Sequence, residues 1–338
     1  MTLQRHSQIM GLVQGVLWLV VGLVLAAALM FPNFAQEGRI SAVAAVLFIG
    51  LASWFAGVIA VVTAVNTTRK DFHDGKIQLA PEELAQGSRL ARPRRPMWLI
   101  PMVGVSLQWL VPAALVAGMG WLLFPEGMPN RVFIPTTALV LALHGAIAAW
   151  WTSSRELLKY AAHAAEEPTP FRWYVLREHI SGNSLINLTI NPLMGYVMYH
   201  AGPKHPSDWT DLKTLALDLF VMSVMVSVLV PPGADLQAAA DLHERRTPGP
   251  KRDSKNHPGL VARNLVYLAV AAATGLFCWA CFYGLGLDSF SLLQVMALKG
   301  VVSALVAAVV AGLAAYWSAA RTIAVLGSPP AGAKVEAR

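Results

Sequence analysis

The sequence predicts an all-α, polytopic membrane protein of eight transmembrane helices, arranged as two parallel four-helix repeats. Three observations lead there. Of 338 residues, 56% are hydrophobic and 13% charged, whereas a soluble domain is closer to a quarter charged. Apolar runs of about 20 residues, enough to cross ~30 Å of hydrocarbon, recur along the whole chain. Lys and Arg gather in alternate loops, as the positive-inside rule requires of a multi-pass protein.

In order, the apolar runs place spans at Ile9–Phe31, Ile40–Val65, Met97–Phe124, Val132–Trp151, Ile180–His200, Leu212–Val230, Leu260–Leu285 and Ser289–Ala320. The first is too long for a signal h-region and lacks a small-x-small cleavage site, so it is read as a retained span. Loops after the first, third, fifth and seventh spans are short; those after the second, fourth and sixth are long. The long loops and the two ends hold Arg5, Arg69, Lys70, Lys76, Arg89, Arg155, Lys159, Arg172, Arg245, Arg246, Lys251, Arg321 and other cations. The opposite side holds Arg39, Arg131, Lys204 and Lys213. That asymmetry, within a net charge of +7, puts both termini in the cytoplasm of a plasma membrane, here a bacterial inner membrane. It also assigns the basic balance to topology and not to nucleic acid. Trp98, Trp121, Trp150, Trp151 and Trp209 fall at span ends, where amphipathic rings settle.

Residues 1–153 form the first half, 154–179 a cytoplasmic linker, 180–322 the second half, and 323–338 a disordered cytoplasmic tail. Thr67–Pro96 and Leu236–Pro258 are linkers too short to bury a core, with Leu236–Arg246 extending the sixth helix into water. Phe171–His179 sets Phe171, Trp173, Tyr174 and Leu176 beside Arg172 and Arg177, and is read as a helix lying in the membrane interface. The two halves share a loop pattern, and Ala142-Leu143-His144-Gly145 resembles Ala297-Leu298-Lys299-Gly300. Four spans per half relate the repeats by an axis along the membrane normal.

Polar residues inside the spans carry the functional expectation. Asn183, Asn187 and Asn191 recur every four residues, on one helix face, and Pro192 removes a backbone donor just after them. Lys299 lies deep in the eighth span, where a lysine costs roughly 3 kcal/mol unless paired or hydrated. Asp218, in the sixth span, is its expected partner. Both sit about seven residues, or ~10 Å, in from the non-cytoplasmic ends of their helices. Thr214 and Ser303, four residues from each charge, are expected on the same faces, and His144 slightly deeper on the fourth span. Gly11 and Gly15, and the stripe Gly50, Ser53 and Gly57, are read as helix-packing positions, with Gln14 and Gln108 bonding neighbouring helices.

Other chemistries are excluded. Cys278 and Cys281 are the two cysteines and lie inside an apolar run, so they form no disulfide framework and are read as packing residues. Asn191-Pro192 lacks the second copy that a water-channel loop needs. His144 is the one histidine deep in a span, which argues against a haem held by two histidines. Lys299 as a retinal Schiff base does not fit eight spans in two repeats. No nucleophile elbow, metalloprotease motif or phosphate loop occurs. No catalytic residue, metal or cofactor is therefore expected. Asn183, Asn187, Asn191, Asp218, Lys299 and His144 are expected to line a polar pocket between the fifth, sixth and eighth spans, through which a permease-like or channel-like protein moves a small solute. The rival readings are a non-catalytic subunit or scaffold, docking a protein partner or a second copy on its basic face, and a membrane-embedded enzyme acting on lipid.

Overall fold

The computed structural model describes residues 1–30, 38–83, 85, 106–161, 168–200, 210–250 and 258–326. Long helices dominate: α1 (Leu3–Met30), α2 (Ala42–His73), α3 (Ser106–Leu123), α4 (Asn130–Ala161), α5 (Phe171–Tyr174), α6 (Gly182–His200), α7 (Leu212–His243), α8 (Leu260–Gly284) and α9 (Leu292–Leu326). A π-helical segment, Val175–Ser181, joins α5 to α6. Among the described residues, six helices are long and apolar enough to cross a membrane: Leu3–Ala27, Ala42–His73, Asn130–Arg155, Leu212–His243, Leu260–Gly284 and Leu292–Leu326. A helix satisfies all its interior backbone groups internally, which is what hydrocarbon demands. The chain is thus a helical membrane protein. Helices α3 and α6 stand where the third and fifth spans are predicted. Helix α6 falls short of the others in apolarity because three asparagines interrupt it.

The helices pack as two sets. In the first, α4 lies against α1 and α2, and α3 lies against α2. In the second, α9 lies against α6 and α7, and α8 lies against α7. The sets meet chiefly where α2 packs on α7. Close approach within the first set depends on glycine. A Cβ on Gly22 would come 2.7 Å from the Ala138 Cα, and Gly11 and Gly15 face Trp150 and Ala146 in the same way. Around them Trp18, Phe48, Phe133 and Leu141 fill the core. In the second set Leu215, Leu219, Val295 and Val302 form one cluster, and Val306, Val310 and Ala314 another.

Two short antiparallel strand pairs tie the loops at one end of the bundle. β1 (Arg39–Ile40) pairs with β2 (Met128–Pro129), and β3 (Thr210–Asp211) with β4 (Ser289–Phe290). Ser41 then caps α2, its side chain accepting from the Ala44 N–H, and Asp211 caps α7 by accepting from the Thr214 N–H.

Several sequence boundaries need correcting. Helix α2 continues eight residues past the predicted end of its span, so Thr67–His73 is helix and not linker. Helix α7 continues through Leu236 to His243, as the predicted extension of the sixth helix has it, but Gln237, Ala238, Asp241 and Leu242 are buried there and do not stand in water. At 32 residues each, both reach about 48 Å, well beyond the ~30 Å of hydrocarbon. Helix α4 runs to Ala161, into the predicted linker, and α9 to Leu326, into the predicted tail. Phe171–His179 is not a separate interfacial helix. It is the start of the helical stretch that becomes α6, with Tyr174 and His179 buried. Trp98, Trp209 and the tail from residue 327 lie outside the described residues, as does the Gln108 side chain.

Candidate functional site

The sequence pairs Asp218 with Lys299, and the structure brings them together. The Lys299 Nζ on α9 donates to both carboxylate oxygens of Asp218 on α7, at 2.8 Å each. Lys299 is 2% exposed. Gly195 on α6 leaves room for the lysine stem: a Cβ there would sit 3.0 Å from Lys299 Cδ. Gly300, the residue after Lys299, lets α9 approach Pro192 and the Leu188 carbonyl.

The asparagines form a ladder along α6. Asn183 Nδ2 donates to the His179 carbonyl at 2.8 Å, and Asn187 Nδ2 to the Asn183 carbonyl at 2.8 Å. Asn191 Nδ2 donates to Asn187 Oδ1 at 3.0 Å. With one residue every four, His179, Asn183, Asn187, Asn191 and Gly195 follow one another along a stripe that winds slowly round the helix. That stripe spans about 24 Å from end to end and reaches the Lys299 stem.

The expected hydroxyls behave differently. Thr214 Oγ1 donates to Asp211, in the cap of α7, and not toward Asp218. Ser303 Oγ donates to the carbonyls of Asn187 and Gly300, so it ties α9 to the asparagine helix. Ser184 Oγ does the same through the Ala304 carbonyl. His144 sits on α4, whose packing partners are α1 and α2, with its Nδ1 against the Val140 carbonyl at 3.2 Å. Among the described residues, α4 is not a principal packing partner of α7 or α9, the helices that hold the Asp218–Lys299 pair.

A second cluster, at the opposite end of α6 and α7, escaped the sequence reading. Arg69 on α2 is fully buried (0% exposed). Its Nε and Nη2 form a fork on Glu244 at 2.9 and 2.7 Å, its Nη1 donates to Asn66 Oδ1 at 3.0 Å, and Nη2 also meets Asp241. Tyr174 donates its hydroxyl to the other Asp241 oxygen at 2.8 Å, and His179 Nε2 lies 2.9 Å from that hydroxyl. Because the tyrosine proton goes to the carboxylate, His179 must be the donor to it, carrying its own proton on Nε2. The buried His179 Nδ1 then has no partner among the described residues. His73 contacts Glu244 at 3.3 Å and stacks on His243, ring centroids 5.5 Å apart and planes within 6°.

Electrostatics follow from burial. Burial lowers the His179 pKa to about 4, against a weaker upward pull from Asp241. Burial and then the Asp241 charge raise Tyr174 well above its usual value. Burial alone would raise Glu244. The Arg69 guanidinium, the His73 contact and Arg246 outweigh it and hold that carboxyl well below the usual range. Two carboxylates are thus shared by the Arg69 and Arg246 guanidiniums, next to a neutral imidazole.

A sequence signal for this cluster exists. Asp71-Phe72-His73 and Asp241-Leu242-His243 are the same Asp-x-His, each closing a 32-residue helix. His6 lies 3.0 Å from Asp71 Oδ2 in the first set, where Tyr174 and His179 face Asp241 in the second. Among the described residues, no group of three or more His, Cys, Asp or Glu is placed to hold a metal. Comparison with protein-family models, curated proteins and solved structures finds no match for this chain.

Proposed function

We propose that this is a permease-like or channel-like membrane protein, moving a small polar solute through a path between α6, α7 and α9. The observation that carries the reading is the pair of buried Lys299 and half-buried Asp218 at one end of an asparagine ladder whose other end meets the Tyr174–His179–Asp241 cluster. Membrane-embedded ion pairs are costly and mark substrate or ion pathways by default. Amide side chains every turn offer both donors and acceptors to a solute or its water along the way.

The accompanying architecture is eight spans in two parallel repeats, with both termini in the cytoplasm of a bacterial inner membrane. Each half pairs the residues before its second helix with those before its fourth. Each also packs its fourth helix on its first and second. Gly22 faces Ala138 in one half as Gly195 faces Lys299 in the other, Ala138 and Lys299 each lying ten residues beyond the start of the preceding strand. This register aligns Lys299 with Ala138, not with His144 as the Ala-Leu-x-Gly likeness suggested. The ion pair would then be a feature that only the second repeat acquired.

The tight geometry of the pair favours a second reading, in which it holds helix register inside a non-catalytic subunit. A double-mutant cycle separates the two. Asp218→Asn or Lys299→Met alone leaves an uncompensated buried charge and should cost about 3–5 kcal/mol in detergent thermostability. Asp218→Leu with Lys299→Met should recover much of that. A recovered double variant that no longer moves solute in proteoliposomes supports transport. One that retains full function assigns the pair to structure, and additive losses show that the two residues do not act together.

A further inference from the structure

A third polar cluster, separate from both described above, lies at the basic end between α7, α8 and α9. Asp235 on α7 accepts from Arg263 Nη1 at 3.0 Å and from Arg321 Nη2 at 2.6 and 2.9 Å. Two guanidiniums thus share one carboxylate, and among the described residues no other carboxylate forms an ion pair with either. Arg263 is 6% exposed and its buried Nε has no partner among the described residues, while the Arg321 side chain is 40% exposed. Gly259 precedes α8 without any side-chain cap, so the positive end of that 25-residue helix opens beside the arginines. Ser318 Oγ donates to the Asp235 carbonyl at 2.7 Å, and Tyr267 packs at a 40° tilt on Trp317, ring centroids 5.6 Å apart, which fixes the frame.

We propose that this cluster is a binding site for a phosphate group, with Arg321 and Arg263 as its donors. One net positive charge, several free guanidinium donors and an uncapped helix N-terminus are what a phosphate needs. Leu260, Val261 and Leu265, large and exposed on the same end of α8, give acyl chains a surface to lie on. A basic pocket between membrane helices with apolar flanks suits the headgroup of an anionic phospholipid. Free phosphate shares the headgroup chemistry without the chains.

The test uses the intact protein in a mild detergent, delipidated and then titrated with phosphatidylglycerol, phosphatidylcholine or inorganic phosphate. Thermal shift gives affinity, and native mass spectra of the unmodified protein count the lipids retained. Phosphatidylglycerol should bind at low stoichiometry and be preferred over phosphatidylcholine. Arg321→Gln should weaken it about tenfold, the loss of one charge-assisted contact. Arg155→Gln, a cation at the same end stacked over Trp151, should leave it unchanged. Stabilisation by inorganic phosphate alone, lost in Arg321→Gln, also supports the site and identifies a soluble anion as its occupant. The proposal is overturned if neither anion outcompetes phosphatidylcholine, or if Arg321→Gln binds as the unmodified protein does. Arg321→Gln leaves Asp235 paired with Arg263, so the variant keeps a compensated carboxylate. The wild-type lipid competition decides the question independently of any variant.

Discussion

Arg245 holds a left-handed backbone, φ 55°, at the end of α7, where the end of α2 places Gly75 at φ 74°. The two ends close with the same bonds. Lys76 N–H reaches the Asp71 carbonyl at 2.9 Å, and Arg246 N–H the Asp241 carbonyl at 2.9 Å. This is the Schellman arrangement, which favours glycine at the residue after the cap. A side chain in that conformation costs about 1 kcal/mol, so Arg245→Gly should raise thermal stability by roughly that amount. A lower melting point would mean that the Arg245 side chain contributes more than its backbone costs. His179 sets a pH dependence. Its folded pKa, about 4, lies below the usual 6.5, so its contribution is complete above about pH 6.5 and is lost as pH falls toward 4. The loss is on the order of 3 kcal/mol, and His179→Gln should flatten melting temperature against pH across that window. Glu244, also held low, adds its loss only below the usual carboxylate range. Of these residues, Lys299 and Asp218 were legible in the sequence because a charge inside an apolar run stands out. His6, Arg69 and His179 were not. They lie at the edges of apolar runs, where polar residues are ordinary, and their burial comes from other helices.

At the scale of elements, the sequence marked where helices are apolar but not where they stop. Hydrocarbon selects apolar length. Helix ends are set by caps and by packing beyond the membrane, which is why α2 and α7 run on to His73 and His243. The stretch 171–179 misled for a related reason. Its aromatic and basic residues have the composition of an interfacial helix, yet Tyr174 turns inward to Asp241. The seam between α6 and α9 offers a sharper test. Gly195 touches the Lys299 stem and Gly300 touches Pro192, so both helices depend on absent side chains. Gly195→Val should push the lysine away from Asp218 and cost about 1–3 kcal/mol by overpacking. In the Asp218→Leu, Lys299→Met background the same change should cost less, since an unbranched, uncharged methionine can shift without breaking an ion pair. Equal costs in both backgrounds would show that the glycine serves backbone packing alone. The measurement is detergent thermostability of the four proteins.

For the whole molecule, the question is what joins the two helical sets. Their principal contact is α2 against α7, and its polar centre is Arg69 with Asp241 and Glu244. Each acid makes further contacts within its own set: Asp241 accepts from Tyr174, and Arg246 lies 3.0 Å from Glu244. Arg69 alone carries the charge across from α2, and Asn66 below it positions the guanidinium. Such a fork is planar and directional, so lysine is no substitute. Arg69→Met should therefore leave two buried carboxylates facing an apolar side chain and cost about 3–5 kcal/mol. Arg69→Lys should recover only part of this, keeping the charge and losing the fork. Adding Glu244→Gln to Arg69→Met leaves Asp241 paired with Arg246, removes the stranded charge and should recover more stability than Arg69→Lys does. If the cluster merely decorates a contact held by apolar packing, all three proteins will melt within about 1 kcal/mol of the parent, as exposed ion pairs do. If it is the lock between the sets, Arg69→Met will also make the halves separable. Limited proteolysis between α4 and α5, in the linker that joins the two halves, should then release two folded fragments that no longer copurify, while the parent, cut at the same place, stays together.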